Sequence, residues 1–244
     1  MKLLYLDTET TQFNDKVAED ARIMIQFAAI AVDTEQGKLS PYTTYCRPPK
    51  EQITPQAMAT HGIVPEDIED KPTFDKTEVY TPIKQMIEDD YIVVAHNSKF
   101  DIDVLRREGI NFNITPTIDT LKVARFLNDR QALKWESCSL QYLKYYYRLD
   151  KEPFPLQIEA KAHDAMSDVV DLMKLTQLFK KEFGASYDDM VKLTEMDLYL
   201  TYMPSGRHKG TKIVDLNENQ LKWYMENDFN ADVRYTCAKI LGEV

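Results

Sequence analysis

Cysteine is scarce in this chain: Cys46, Cys138 and Cys237 are the only three in 244 residues. They lie far apart and show no CxxC spacing, which excludes a disulfide framework and a cysteine-built zinc site and leaves buried thiols as the expectation. Long apolar runs are missing too. The stretch ahead of Asp7 is too brief for a signal-peptide core, and no window approaches the roughly 20 apolar residues of a membrane span. Cytoplasmic residence without a membrane partner is therefore expected. There is no internal repeat and no low-complexity tract, and 43% hydrophobic with 29% charged residues suits a packed globular protein. The last shortage is positive charge, with 30 Lys+Arg against 40 Asp+Glu and a net charge of −10. At face value this speaks against a phosphate-bearing partner. A protein that holds divalent cations escapes the objection, because its site must be acidic and the bound ions then present positive charge to phosphate.

The length suits one sizeable core with a smaller appendage. Lys2 to Leu6 reads as a short strand, Ile23 to Val32 as a longer one ending at Gln36-Gly37, and Pro41 to Cys46 as a third. Pro48 to Phe74 reads as a surface connection in which Thr54 or Pro55 opens a short helix ending near Gly62. A helix over Val79 to Asp89, a strand over Tyr91 to Ala95 and a helix from Phe100 to Glu108 follow, the last stopped by Gly109. A strand near Thr117 leads to helices around Leu121 to Leu127, Leu140 to Tyr147 and Ala165 to Phe183, so the pattern predicts a mixed α/β sheet with flanking helices. Breaks at Gly184-Ala185-Ser186 and Pro204-Ser205-Gly206 bracket a helical stretch around Met190 to Tyr199. The expected organisation is a main domain over 1–182, a helical linker over 183–203 and a small module over 204–244, with helices at Asn217 to Asn227 and Asp232 to Leu241.

Three acid-bearing segments stand at strand ends or helix starts. Asp7 and Glu9 follow the first strand two residues apart, on one face of an extended chain, where they can chelate a cation. Alone, such a pair is as readily a solvated loop. Tyr91 to Ala95 runs into His96-Asn97-Ser98-Lys99-Phe100-Asp101, which puts Asp101 in a first helical turn. Ser98 to Asp101 equally matches a capping box with Asp in place of Glu. His163 and Asp168 stand at the start of the long helix, where Ala165, Val169, Leu172 and Thr176 face one way and Asp164, Asp168 and Asp171 another. His163 also reads as a surface histidine, and Asp164 competes as a ligand but is better placed as the N-cap. Together the three segments fall where crevices form in α/β folds.

Leu6-Asp7-Thr8-Glu9-Thr10-Thr11, His96 to Asp101 and His163-Asp164-Ala165-Met166-Ser167-Asp168 resemble, in order, the three motifs of the DEDDh (DnaQ-like) 3′–5′ exonuclease superfamily. Ile53 to His61, and Gly206-Arg207-His208-Lys209-Gly210 followed by Leu221-Lys222-Trp223, resemble its exonuclease X branch, so the likeness covers nearly the whole chain. One departure is Gln12, where the first motif commonly continues with Gly. The resemblance implies a ribonuclease H-like mixed sheet flanked by helices, with a small, mostly helical C-terminal module. It implies release of nucleoside monophosphates from DNA 3′ ends by two-metal hydrolysis, with two Mg²⁺ or Mn²⁺ ions per site. Asp7, Glu9 and Asp168 would bind the first ion, Asp7 with Asp101 the second, and His163 would be the general base. Thr8, Thr10 and Phe13 would grip and wedge the terminal nucleotides, with Asn97 and His61 on the substrate side and Phe100 packed beneath. Phe13 equally reads as core, and His61 as a C-cap partner. RNA-directed relatives of the oligoribonuclease or RNase T sort share the same five catalytic residue types, and only the likeness outside the motifs points to DNA. A non-catalytic nucleic-acid-binding module is disfavoured because all five are present, and no residue pattern signals an oligomeric state.

Overall fold

The computed structural model describes residues 1–12, 23–48, 53–89, 91–112, 115–156, 164–228 and 230–244. Its architecture follows from the first strand, β1 (Lys2–Thr10). Leu3 and Tyr5 face one side of the sheet and Leu4 and Leu6 the other, as successive strand residues must, and all four are at most 1% exposed. A strand apolar on both faces must be central and covered twice. β1 indeed pairs antiparallel with β2 (Met24–Asp33) and parallel with β4 (Ile92–Ala95). With β3 (Lys38–Tyr45) and β5 (Thr117–Asp119) the order is β3-β2-β1-β4-β5.

Leu3, Tyr5, Ile30, Val94 and Ile118 pack against α5 (Thr120–Arg130), α6 (Leu140–Tyr146) and α7 (Ala165–Phe183). Leu4, Leu6, Phe27 and Val93 pack against α3 (Tyr80–Glu88) and α4 (Ser98–Arg107). Trp135, fully buried, stacks on Phe179 at 6.5 Å and donates its ring N–H to the Tyr147 hydroxyl at 3.1 Å. It pins the loop between α5 and α6 to α7.

Several elements differ from the sequence expectation. β1 continues to Thr10 instead of ending at Leu6, because β2 keeps pairing with it: Asp7 lies opposite Ala28 and Glu9 opposite Gln26. In the expected surface connection after Pro48 the predicted short helix is present as α1 (Pro55–His61), but α2 (Pro65–Ile68) follows it, and Ile53, Ala57, Ile63 and Ile68 build a small core on Ile25. Both prolines there open helices, where their missing N–H costs nothing. The helix expected around Met190 starts earlier, as α8 (Tyr187–Glu195), because Ser186 and Asp189 form a reciprocal capping box ahead of its apolar residues.

α8 packs on β5 and α5. Beyond it, Leu198, Leu200 and Met203 join α9 (Glu218–Asn227) and α10 (Ala231–Leu241) in a separate apolar cluster. The backbone between is held from two sides: Leu198 N–H donates to Asp232 and Leu200 N–H to Thr236, while Thr201 and Tyr202 donate to Asp129 of α5, all at 2.9 Å. All three cysteines are free, and no helix among the described residues is long and apolar enough to cross a membrane.

Candidate active site

Strand parity assembles the acidic centre. Asp7 and Glu9 share the parity of Leu3 and Tyr5, so they emerge on the face covered by α7, whose first turn carries Asp168. One carboxylate oxygen from each of Asp7, Glu9 and Asp168 lies within 4.8 Å of the others. Thr8 has the parity of Leu4 and Leu6 and points to the α4 side, where its hydroxyl donates to Asp101 Oδ1 at 2.7 Å. Each covering helix thus delivers one acid to the end of β1.

The helix starts are held from outside. Asn97 precedes α4 in the left-handed region (φ 72°, ψ 53°), and the N–H groups of Asn97 and Ser98 each donate to the Asp119 carboxylate at 3.1 Å. Asp119, at the end of β5, caps α4, so the capping-box alternative for Ser98 and Asp101 does not hold and Asp101 is turned to Thr8. Asp164 is the N-cap residue of α7, yet its side chain accepts from Gln26 Nε2 and makes no cap bond. Gln26 Oε1 accepts from the Ala165 N–H at 3.3 Å, and Gln26 stands opposite Glu9 in the sheet. Asp168 Oδ1 accepts from Gln141 Nε2 of α6 at 2.7 Å. Asp171, expected on a polar face, is buried 2.6 Å from the Lys144 ammonium because α6 covers that side of α7.

Asp119, Gln26 and Gln141 were not legible as site residues. Asp119 had a signal, since it also caps α5 through the Leu121 N–H at 2.9 Å. The two glutamines gave none, because their roles exist only once distant elements pack.

Burial and mutual repulsion dominate the electrostatics. Asp7 is held well above the usual carboxylate range by desolvation first, then by the charges of Asp101, Glu9, Asp168 and Asp164. Glu9 is pushed up to about 8 by desolvation, then by Asp168, Asp101 and Asp164. Asp101 is pushed up to about 7 by desolvation, against the Thr8 hydrogen bonds. Among the described residues no lysine or arginine forms an ion pair with Asp7, Glu9 or Asp101. Hard oxygen donors clustered in this way suit a divalent cation, which would let all of them ionise together.

A pH dependence follows. A carboxyl whose folded value lies above its unfolded value contributes stability that is full below the unfolded value and lost as pH rises through the folded one. For Glu9 the window opens at 4.5 and closes at about 8, and for Asp101 at 3.8 and about 7. Metal-free protein should therefore melt at falling temperatures across that window and regain stability, with proton release, on adding a divalent cation. Melting in chelator that is flat over this range contradicts the account. Gln141→Leu should weaken cation binding on the order of tenfold by freeing Asp168 to rotate, with calorimetry as the check and unchanged affinity the contrary result.

The other anticipated residues divide. Asn97 and Phe100 both precede Asp101, Asn97 exposed at the N-cap of α4 and Phe100 in its first turn, packed partly against the Leu4 cluster. The Thr10 hydroxyl donates to the Gln12 carbonyl at 2.7 Å, within the turn that leaves β1. His61 is 4% exposed at the end of α1, and its Nδ1 accepts from the Ile63 N–H at 3.0 Å. Burial lowers its pKa, opposed by the Thr10 backbone beside it. Phe13 and His163 lie outside the described residues.

Comparison with known proteins agrees with this geometry. A family model described as exonuclease, of the RNase T kind, matches residues 4–176. DNA polymerase III subunit epsilon of Buchnera aphidicola subsp. Schizaphis graminum (strain Sg) is 24% identical over 237 residues, 92% of this chain and 94% of that protein. Exonuclease X, solved in complex with 5′ overhanging duplex DNA, shares the fold at a TM-score of 0.53 and 24% identity, over 79% of this chain and 99% of that one. E. coli exonuclease I, solved with single-stranded DNA, does so at 0.59 and 22% identity, over 77% of this chain and 42% of that one. With the family match running from the first strand into the helix that carries Asp168, the chain belongs to the exonuclease family.

Proposed function

We propose that the protein removes nucleoside monophosphates one at a time from DNA 3′ ends. The observation that carries this is the meeting of Asp7, Glu9 and Asp168 within 4.8 Å, with Asp101 linked to the same strand through Thr8. Asp7, Glu9 and Asp168 would hold one Mg²⁺ or Mn²⁺, and Asp7 with Asp101 a second. Divalent ions held there would supply a polarised attacking water and charge stabilisation for the leaving oxygen of an in-line displacement. His163, next in the chain to Asp164, takes the proton of the attacking water. Thr8 and Thr10 of β1, with His61, Asn97 and Phe100, would form the wall against the terminal nucleotides, and Phe13, three residues beyond Thr10 in the sequence, would be the wedge. Residues 1–182 form the catalytic unit, and 183–203 lead to a module over 204–244. A cytoplasmic setting suits three unpaired thiols.

DNA is chosen over RNA because the DNA polymerase III subunit resembles this chain over 92% of its length, and exonuclease X and exonuclease I were each solved on DNA. The test compares kcat/KM on DNA and RNA strands of one sequence with Mg²⁺ present. Faster turnover of DNA is expected, and turnover confined to RNA would overturn the substrate assignment.

A further inference from the structure

Residues 203–212 form a second polar feature that the acidic centre does not use. They fold back on themselves: the Gly210 N–H donates to the Met203 carbonyl and the Met203 N–H to the Thr211 carbonyl, both at 2.9 Å, and Tyr202 bridges to Lys212 at the base. Gly206 (φ 73°) and Gly210 (φ 83°) supply the left-handed backbone of the reversal. A β-carbon at either would meet nothing within 4 Å, so these glycines serve the turn and not packing. The loop is fixed to α9 by the His208 ring, 2.7 Å from the Tyr224 hydroxyl and 3.2 Å from the Gln220 amide nitrogen.

This platform displays positive charge in a chain of net charge −10. Arg207, Lys209 and Lys212 are exposed, and among the described residues none is ion-paired with a carboxylate. The Trp223 ring packs edge-on against Tyr224, the residue that holds His208, with 5.1 Å between ring centroids, and it is 56% exposed. Cationic side chains beside an exposed indole are the chemistry that neutralises phosphates and stacks an unpaired base. The platform also contacts the chain that leads into α6, the helix that carries Gln141. Lys209 Nζ donates to the Glu136 carbonyl at 2.6 Å, and Gln141, five residues on, donates to Asp168. Five residues of chain span at most about 18 Å, so the loop stands within a few nucleotides' length of the acidic centre.

We infer that this loop and Trp223 form a second nucleic-acid site, which holds the unpaired DNA strand on the 5′ side of the nucleotide being removed. The inference rests on the exonuclease reading. The test uses the full chain with Mg²⁺ and single strands of about four and about twenty nucleotides, the short one filling only the active site. Phosphorothioate linkages at the 3′ end hold off cleavage while affinity is measured by anisotropy. The double variant Arg207→Glu/Lys212→Glu should lose on the order of tenfold in affinity for the long strand and flatten its salt slope by roughly 1.4, at about 0.7 per phosphate contact. Trp223→Ala should lose on the order of tenfold for the long strand. Both should bind and cleave the short strand as wild type does. Equal losses on both lengths, or no loss on either, would overturn the inference. So would unchanged affinity with altered sedimentation, which would mark the loop as an assembly surface. If wild-type protein binds long strands through the loop yet cleaves none, the exonuclease reading fails and the loop assignment stands.

Discussion

Asp7→Ala and Asp168→Ala are each expected to cut turnover by at least about a thousandfold, because the charge stabilisation that a bound metal supplies is worth several kcal/mol. Neither change should unfold the protein. Asp7 is held protonated far above its ordinary range by burial and by four neighbouring acids, so removing it relieves repulsion in the metal-free fold. The melting temperature in chelator should hold or rise, while the stabilisation by added cation disappears. Steady-state rates and paired melting curves with and without Mg²⁺ check both halves. Near-wild-type turnover in either variant would remove these acids from the reaction, and a collapse of the metal-free fold would show that they serve packing.

Much of this centre was legible in the residues themselves. The two-residue spacing of Asp7 and Glu9 was enough to put both on one strand face, and the apolar run Tyr91 to Ala95 announced the strand that delivers Asp101. What could not be read was how the helix starts are held. Ser98 and Asp101 fit a local capping pattern, yet the N–H groups of Asn97 and Ser98 go to Asp119, which only sheet pairing brings alongside. Asp171 reads as surface until α6 lays Lys144 against it. Local rules locate the acids, and tertiary packing decides what orients them.

His163→Ala should lose on the order of a hundredfold or more in rate while keeping cation and substrate affinity. The pH–rate profile gives the sharper reading. Once a cation is bound the acids of the centre are ionised and no longer titrate near neutrality, so the remaining acidic limb belongs to a group near 6.5, the ordinary value for histidine. In the variant that limb should vanish and the rate should follow hydroxide instead. An unchanged limb would assign the titration to another group and leave His163 without the role of base.

The central claim is a cation-dependent exonuclease that works from the 3′ end. Its most direct test is a time course on single-stranded DNA labelled at the 5′ end, run with Mg²⁺ and again with chelator, with the products resolved to single nucleotides. The account predicts a ladder that shortens one nucleotide at a time from the 3′ end, free 5′-mononucleotides, and no reaction in chelator. Immediate release of the 5′ label, internal fragments without a ladder, or equal rates in chelator would contradict it.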